Sequence, residues 1–457
     1  MTESKAHAIF ARLRDDILHG RLRSGDKLPG SRRLAAKTGA ARGTINIAYA
    51  MLSAEGLIEI PPRGNPRVRV SLPVPKRKSP ARIRLTRWAR SLPPLPTADN
   101  GAAFVTGKLA DEFFPEREWL ASLGVARRAF AVRHEDSVAG SHELRRAIAD
   151  HLRISRGFTA HPEQIVVTNG SMQAITLLAQ LLLDADSLAA VENPGFHGIR
   201  AAIISTGARA VYCALDNEGM QTPRTKCRVI FLTPASQFPT GIRMSHTRRN
   251  DLLQYAATHS SIIVEDEYDS EFTRLKNPPP ALKLNDSDDR VVYIGSFSRT
   301  MFHALRIGYC VLPEALVDTF LRARRLYDTV APQQNEQAAM AHFMRSGGYR
   351  RHLRRMNTVY NERHDALLSG FAEKLTVFFD PMPSAAGLSI CARWRASPAD
   401  FSRAAAAAMN AGCGWQNARP YFAAKGESIG IFGFGGLTPV QLKNAITRLD
   451  RVLQQIF

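Results

Sequence analysis

The chain is short of acidic residues, of cysteine and of long apolar runs. Asp and Glu number 41 against 61 Lys and Arg, a formal net charge of +20 over 457 residues. A surplus of that size points to an anionic partner. The five cysteines, Cys213, Cys227, Cys310, Cys391 and Cys413, form no Cys-x-x-Cys pair and lie at no metal-ligand spacing from histidine. Neither a disulfide framework nor a metal site is expected, and the thiols read as reduced packing residues of a cytosolic protein. The most apolar stretch, Ile175 to Leu183, is too short and too interrupted to span a bilayer. The charged N-terminus lacks an apolar h-region, so no signal peptide is expected and a cytoplasmic location is. What remains is an ordinary globular composition, 45% hydrophobic and 22% charged, with length for two or three domains.

The charge is unevenly spread. Residues 1–90 carry 20 Lys and Arg against 6 Asp and Glu, so +14 of the +20 sits there. Within that lobe Ala6, Ile9, Leu13 and Ile17 follow helical spacing up to Gly20. Ser31 stands where it can cap a short helix carrying Leu34 and Ala35, which Gly39 ends. A third helix is expected from Arg42 to Glu55, burying Ile45, Ala48, Tyr49 and Leu52, with Gly56 as its stop. Leu57 to Ile60, a Pro61-Pro62-Arg63-Gly64-Asn65 turn and Arg67 to Val70 then predict two strands around a basic turn. Three helices followed by such a hairpin describe a winged helix-turn-helix over residues 1–70. In that module the N-terminal side chains of the third helix meet base edges, which makes Arg42, Thr44 and Asn46 base-contact candidates. Arg32 and the wing residue Arg63 are candidates for phosphate or groove contacts. For each the competing reading is a solvent-facing charge.

Residues 71–100 are rich in Pro, Lys and Arg and read as a semi-rigid tether, with a short helix around Ile83 to Arg90. Its basic half either adds salt-dependent attraction to DNA or is a solvated spacer. From residue 101 to 457 apolar strands alternate with helical stretches, the pattern of an α/β body on a mostly parallel sheet. Ile165–Thr168, Leu188–Val191, Val229–Leu232, Ile262–Val264 and Val291–Ile294 are the strand-like runs.

Gly20-Arg21-Leu22-Arg23-Ser24-Gly25-Asp26-Lys27-Leu28-Pro29, Arg42-x-Thr44-Ile45, Ala48-Tyr49 and Leu52-x-x-Glu55-Gly56-Leu57 resemble the GntR family of regulators. The wing tip departs from it, reading Arg63-Gly64-Asn65-Pro66. Farther on, Phe114-Pro115-x-x-x-Trp119, Thr168-Asn169-Gly170-Ser171-Met172-Gln173-Ala174, Glu192-Asn193-Pro194-Gly195-Phe196, Phe238-Pro239-Thr240-Gly241, Glu265-Asp266-Glu267-Tyr268-Asp269 and Gly295-Ser296-Phe297-Ser298-Arg299-Thr300 appear in order. That order resembles the MocR/GabR subfamily, in which a winged helix precedes a fold-type I aminotransferase-like domain with a smaller C-terminal α+β subdomain.

The resemblance implies a role for each matching position. Gly170, Ser171 and Met172 would present backbone groups to a pyridoxal-phosphate phosphate, with Arg306 as its clamp. Asp266 would face the pyridine nitrogen. Tyr268 and Gln237 would bond the ring hydroxyl, Phe196 would cover the ring, and Ser296 and Ser298 would complete the site. Arg419 would match the arginine that holds a ligand carboxylate. Arg299 occupies the place of the imine-forming lysine, and a guanidinium stays protonated and poorly nucleophilic. Ala235-Ser236 replaces the usual Ser-His pair, and His134 to Ala139 lacks the tyrosine that relatives carry before Gly140.

Three readings stand. The first is a DNA-binding transcriptional regulator, a homodimer whose aminotransferase-like body has no catalytic residues; that body either senses a small anionic effector, such as pyridoxal phosphate held noncovalently, or is only a scaffold. The second is an active aminotransferase that carries a DNA-binding domain. The third is an architectural DNA-binding protein without a ligand, distinguished from the first by whether any small molecule changes DNA affinity.

Overall fold

The computed structural model describes residues 5–69, 84–92, 102–130, 137–275, 280–424 and 426–457. The chain divides into two compact units, Met1–Leu85 and Thr86–Phe457. Most of the Pro-rich tether falls outside the described residues, as does the first part of the His134 to Ala139 tract.

The first unit is three helices and a hairpin. Helices α1 (Lys5–Leu18), α2 (Ser31–Thr38) and α3 (Arg42–Ala54) are followed by β1 (Ile58–Glu59), paired antiparallel with β2 (Arg67–Val68). The apolar stripe on α3 is buried as its spacing predicts, with Ile45, Tyr49 and Leu52 packing on Leu13, Ile17, Leu34 and Val68. The Tyr49 hydroxyl donates to Pro29 O at 2.6 Å, locking the turn before α2 onto α3. Gly39 ends α2 at φ 63°, a left-handed position that suits glycine. Ser31 does not cap α2. Gly30 holds the cap position, and the Ser31 hydroxyl instead accepts from Arg42 Nε at 3.3 Å, tying α2 to α3. A Cβ on Gly30 would lie 3.0 Å from Asn65 Oδ1 of the wing, a tight contact that the Asn65 side chain would have to relieve.

The second unit opens with a short helix, Arg87–Ser91, which starts later than its sequence suggests because Thr86 caps it by accepting from Ala89 N at 3.1 Å. Trp88 Nε1 donates to Ala201 O at 3.1 Å, pinning this helix to helix His197–Ser205. Then come β3 (Ala102–Phe104), β4 (Ile165–Thr168), β5 (Leu188–Asn193), β6 (Arg209–Asp216), β7 (Gly219–Met220), β8 (Val229–Leu232), β9 (Ile262–Glu267), β10 (Val291–Ser296) and β11 (Gly308–Val311). An eight-stranded sheet runs in the order β4-β11-β10-β9-β8-β5-β6-β7. Its centre is parallel, while β11 is antiparallel to both β10 and β4, and β7 to β6. Helices Ser171–Leu182 and Glu314–Arg325 bury one face of it. A five-stranded sheet forms the smaller α+β part: β12 (Phe379–Pro381), β13 (Ser389–Trp394), β14 (Gly414–Asn417) and β15 (Ile429–Gly433) join β3 in the order β12-β13-β15-β14-β3.

Behind the large sheet, Glu271 is held by Arg156 Nη2 at 3.2 Å and His151 Nε2 at 2.8 Å. Burial raises its pKa, but the charges of Arg156 and His151 outweigh that and bring it down to about 2. A depressed carboxyl stabilises the fold above its unfolded pKa, near the ordinary 4.5, and loses that contribution as pH falls toward about 2. Glu271→Gln is therefore expected to cost about 3 kcal/mol at neutral pH, because it strands buried Arg156. Urea melts should show the gap between wild type and variant closing over that acid window; a gap independent of pH would contradict the assignment.

Candidate functional site

Two separate sites emerge, one on each unit. On the first unit, Arg42 and Asn46 are exposed on α3 along the flank beside the buried Tyr49, and Thr44 is half-buried. Arg32 is exposed on α2 and lines one open hollow with Arg42, Asn46 and the wing's Gly64. Arg63 is exposed at the wing tip and shares a second hollow with Lys27 and Arg67. Sequence reasoning missed Lys27 and Arg67, which are far apart in the chain and meet only because Lys27 bridges to Arg67. It also missed Ile47, 55% exposed next to Asn46 on α3, where an apolar side chain can meet a thymine methyl. An exposed cationic rim around the N-terminal half of a helix is a surface for a phosphate backbone and base edges.

On the second unit the site lies along one edge of the large sheet. Register sets it: Thr168 pairs with Gly308, Ser296 with Gly308, and Ile294 with Asp266, so the ends of β4, β9 and β10 and the start of β11 meet. The chain leaves β4 through Gly170, at φ 76°, into helix Ser171–Leu182, whose first backbone N–H groups are free for an anion. Arg306 is exposed and packs directly on Gly170, where a Cβ would lie 2.8 Å from its Nη2, and it donates to Asn169 O at 3.2 Å. Ser298 Oγ is buried with no hydrogen-bond partner among the described residues, while Ser296 Oγ accepts from Ser298 N at 3.2 Å.

Asp266 is buried at the C-terminal end of β9, and its Oδ1 also lacks a partner among the described residues. Burial, then Glu267, Glu192 and Asp269, push its carboxyl up to about 7. A carboxylate ringed by other carboxylates is poised for a cationic partner. Tyr268 is held well above its ordinary pKa by burial and the nearby Asp269, so its hydroxyl keeps its proton. Phe196, half-buried after β5, stands edge-on to Phe238 at 5.7 Å as one wall of the site.

Arg299 follows β10 and pairs through Nε with Asp269 Oδ1 at 3.4 Å. Its charge reaches the hydroxyls of Tyr268 and Tyr421. Lys283, a lysine near it in sequence, is spent on Val291 O at 2.6 Å and on Asp286. Lys276 lies outside the described residues.

Two expected ligand contacts are placed elsewhere. Gln237 is turned into its own loop: its Nε2 donates to Pro194 O at 2.8 Å and to Phe238 O, and its Oε1 accepts from Thr240 Oγ1 at 2.6 Å. No donor is left for a ring hydroxyl. Arg419 is exposed and donates to Ala424 O at 2.9 Å, closing its own turn instead of facing Arg299. Its neighbour Tyr421 is the residue that reaches the site. It packs against Phe238, ring centroids 4.8 Å apart, and accepts from Gln416 Nε2 at 2.6 Å.

The described residues and the pyridoxal group fit one another in their unmet needs: a helix N-terminus with Arg306 for a phosphate, Asp266 for a protonated ring nitrogen, and Ser298 as an unspent donor, beside a protonated Tyr268 that is hydrogen-bonded to Ser236.

The comparisons agree with this division. Residues 5–68 match the family of bacterial regulatory proteins, gntR family, and residues 136–429 match aminotransferase class I and II. The chain is 32% identical to the probable rhizopine catabolism regulatory protein MocR of Rhizobium meliloti, over 96% of this chain and 92% of that one. It is 30% identical to the pyridoxine biosynthesis transcriptional regulator PdxR of Corynebacterium glutamicum, over 76% of this chain and 74% of that one. In fold it is similar to a Pyrococcus horikoshii kynurenine aminotransferase solved with PMP, with a TM-score of 0.72 and 21% identity over 79% of this chain and 92% of that one. It is also similar to the α-aminoadipate aminotransferase LysN of Thermus thermophilus, solved with N-(5'-phosphopyridoxyl)-L-leucine, with a TM-score of 0.69 and 24% identity over 79% and 93%.

Proposed function

We propose a function from one premise: the chain belongs to the gntR-family regulators that carry an aminotransferase class I and II domain, and it is a DNA-binding transcriptional regulator. Its aminotransferase-like domain is a noncatalytic sensor and dimerisation module that holds a pyridoxal-phosphate-type anion without a covalent bond. What supports this is Arg299, which the motif resemblance sets at the lysine position and which is ion-paired to Asp269, in a site whose Asp266, Ser298 and Arg306 offer further contacts. When bound, the pyridoxal group supplies an electron-withdrawing ring to an amine catalyst. Arg299 cannot be that amine, because its guanidinium neither loses a proton nor adds to a carbonyl. Arg306 and the first turn of helix Ser171–Leu182 would hold the phosphate, Asp266 would hold the ring N–H, and Tyr268 and Ser298 would serve the polar groups around the ring.

Dimerisation is supported by apolar Leu326 and Tyr327, both exposed just beyond helix Glu314–Arg325. Two winged helices on a dimer span two half-sites and gain affinity through effective concentration. No helix of the described residues is long and apolar enough to cross a membrane, in keeping with a regulator that acts on DNA in the cytoplasm.

The test is a calorimetric titration of the full chain with pyridoxal phosphate, read alongside its DNA affinity. Reversible binding that changes DNA affinity is expected, and Asp266→Asn should weaken it about tenfold or more, the loss of one charge-assisted hydrogen bond. Absence of both heat and any effect on DNA affinity would leave only the scaffold reading.

A further inference from the structure

Resting on the reading that this site holds a pyridoxal-type phosphate, we propose that it selects the oxidation state of the ligand, favouring a carboxylate over an amine at the carbon that faces Arg299. The groups around that guanidinium come from four segments. Asp269 takes Nε at 3.4 Å from the strand side and is itself shared with the charge of Arg274. Gly107, at φ 85°, passes so close that a Cβ there would lie 3.0 Å from Nη1. His303, on the far side of Gly107, bonds its carbonyl oxygen. Tyr268 and Tyr421 complete the ring, both in edge contact with Phe238, at 5.7 and 4.8 Å.

Apart from Asp269 Oδ1, whose one contact is the ion pair with Arg299, what these groups have left to give is donors. Arg299 Nη1 is buried and has no hydrogen-bond partner among the described residues, and 21% of the side chain as a whole stays exposed. Tyr421 sits at the end of a directed chain in which Thr106 Oγ1 donates to Gln416 Oε1 and Gln416 Nε2 donates to the Tyr421 oxygen. With its oxygen already accepting, Tyr421 directs its own hydrogen onward. Tyr268 keeps its proton as well. Asp269 is buried behind the guanidinium, its Oδ2 against Gly387, and so is committed to Arg299 instead of to a ligand amine.

A cation flanked by two hydroxyl donors accepts a carboxylate with charge-assisted bonds and repels an ammonium at the same distance. Arg299 stands in the place of an imine-forming lysine, and an imine forms at the aldehyde carbon of a pyridoxal group, its 4' carbon. By that resemblance Arg299 would face that carbon. The preferred ligand class is a 5'-phosphorylated pyridine acid, with the aldehyde intermediate and the amine disfavoured. A regulator so built reads the product of aldehyde oxidation.

The test titrates the full chain with 4-pyridoxic acid 5'-phosphate, pyridoxal 5'-phosphate and pyridoxamine 5'-phosphate by calorimetry. The acid is expected to bind about tenfold or more tighter than the amine, since it adds a charge-assisted bond and avoids a repulsion. Arg299→Gln should erase most of that ratio, and Tyr421→Phe should narrow it without changing amine affinity. Equal or tighter binding of the amine to wild type overturns the selectivity while leaving the site a vitamer site. Failure of all three to bind overturns the sensor reading together with it. Circular dichroism on each variant separates a lost ligand bond from a lost fold.

Discussion

Reduced with borohydride in the presence of pyridoxal phosphate, the wild-type chain is expected to give no adduct at residue 299, whereas Arg299→Lys is expected to give one that peptide mass spectrometry places there. The argument is chemical. An amine adds to an aldehyde only as its free base, and a guanidinium does not reach that form in a protein. The rest of the proposed site has its groups together: Arg306 on Gly170, and Asp266 Oδ1 and the Ser298 hydroxyl without hydrogen-bond partners among the described residues. A lysine at 299 would inherit Asp269, whose carboxylate lies 3.4 Å from the present Nε. That neighbour favours the ammonium form, so adduct yield in Arg299→Lys should climb as pH is raised from about 7 to about 9. Lys283 offers no bypass, since its amine is spent on Val291 O and on Asp286. A reduced adduct inside the wild-type pocket would overturn the noncatalytic reading outright.

The fold was largely visible in the residues because periodicity and turn chemistry report local choices. The α3 stripe and the hairpin of the first unit follow from spacing alone. Strand β9 shows the limit. Its apolar run ends at Val264, yet the strand continues through Glu265, Asp266 and Glu267, all buried. Hydrophobic patterning stops at carboxylates that the fold buries for other reasons: Glu265 is satisfied by the backbone of Leu282 and Lys283, and Asp266 Oδ1 has no hydrogen-bond partner among the described residues. In the same way a motif places a residue near a site without fixing where its side chain points. Gln237 and Arg419 lie in the right loops and face the wrong way, because each loop uses them to satisfy its own backbone. Thr106, Gln416 and Tyr421 do reach the site, but they come from β-strand ends and a turn that only the small sheet, pairing β14 with β3, brings together. No local pattern announces a contact across that separation.

Deleting residues 1–70 is expected to abolish specific DNA binding and to leave the larger unit a folded dimer. The first unit has its own core of Leu13, Ile17, Leu34, Ile45, Tyr49 and Leu52, and the second buries its sheet with its own helices, so each core is built from its own unit's side chains. The lobe removed also carries most of the positive surplus, and hence most of the counterion release that drives association with a duplex. Loss of specific affinity should be of the order of a thousandfold or more, the usual gap between specific and nonspecific binding. Point changes divide that effect. Arg42→Ala, at the start of α3, is expected to cost about 1–3 kcal/mol and to relax preference at one base position. Arg63→Ala, at the wing tip, should weaken all sequences alike and reduce the salt slope by about one. Sites selected from a random duplex pool, then titrated by fluorescence anisotropy across salt concentrations, separate the two signatures, while sedimentation of the truncated chain reads the dimer. If the truncated chain kept its sequence preference, the DNA site would lie on the larger unit; if it became monomeric, dimerisation would belong to the winged helix, and the division of labour between the two units would be reversed.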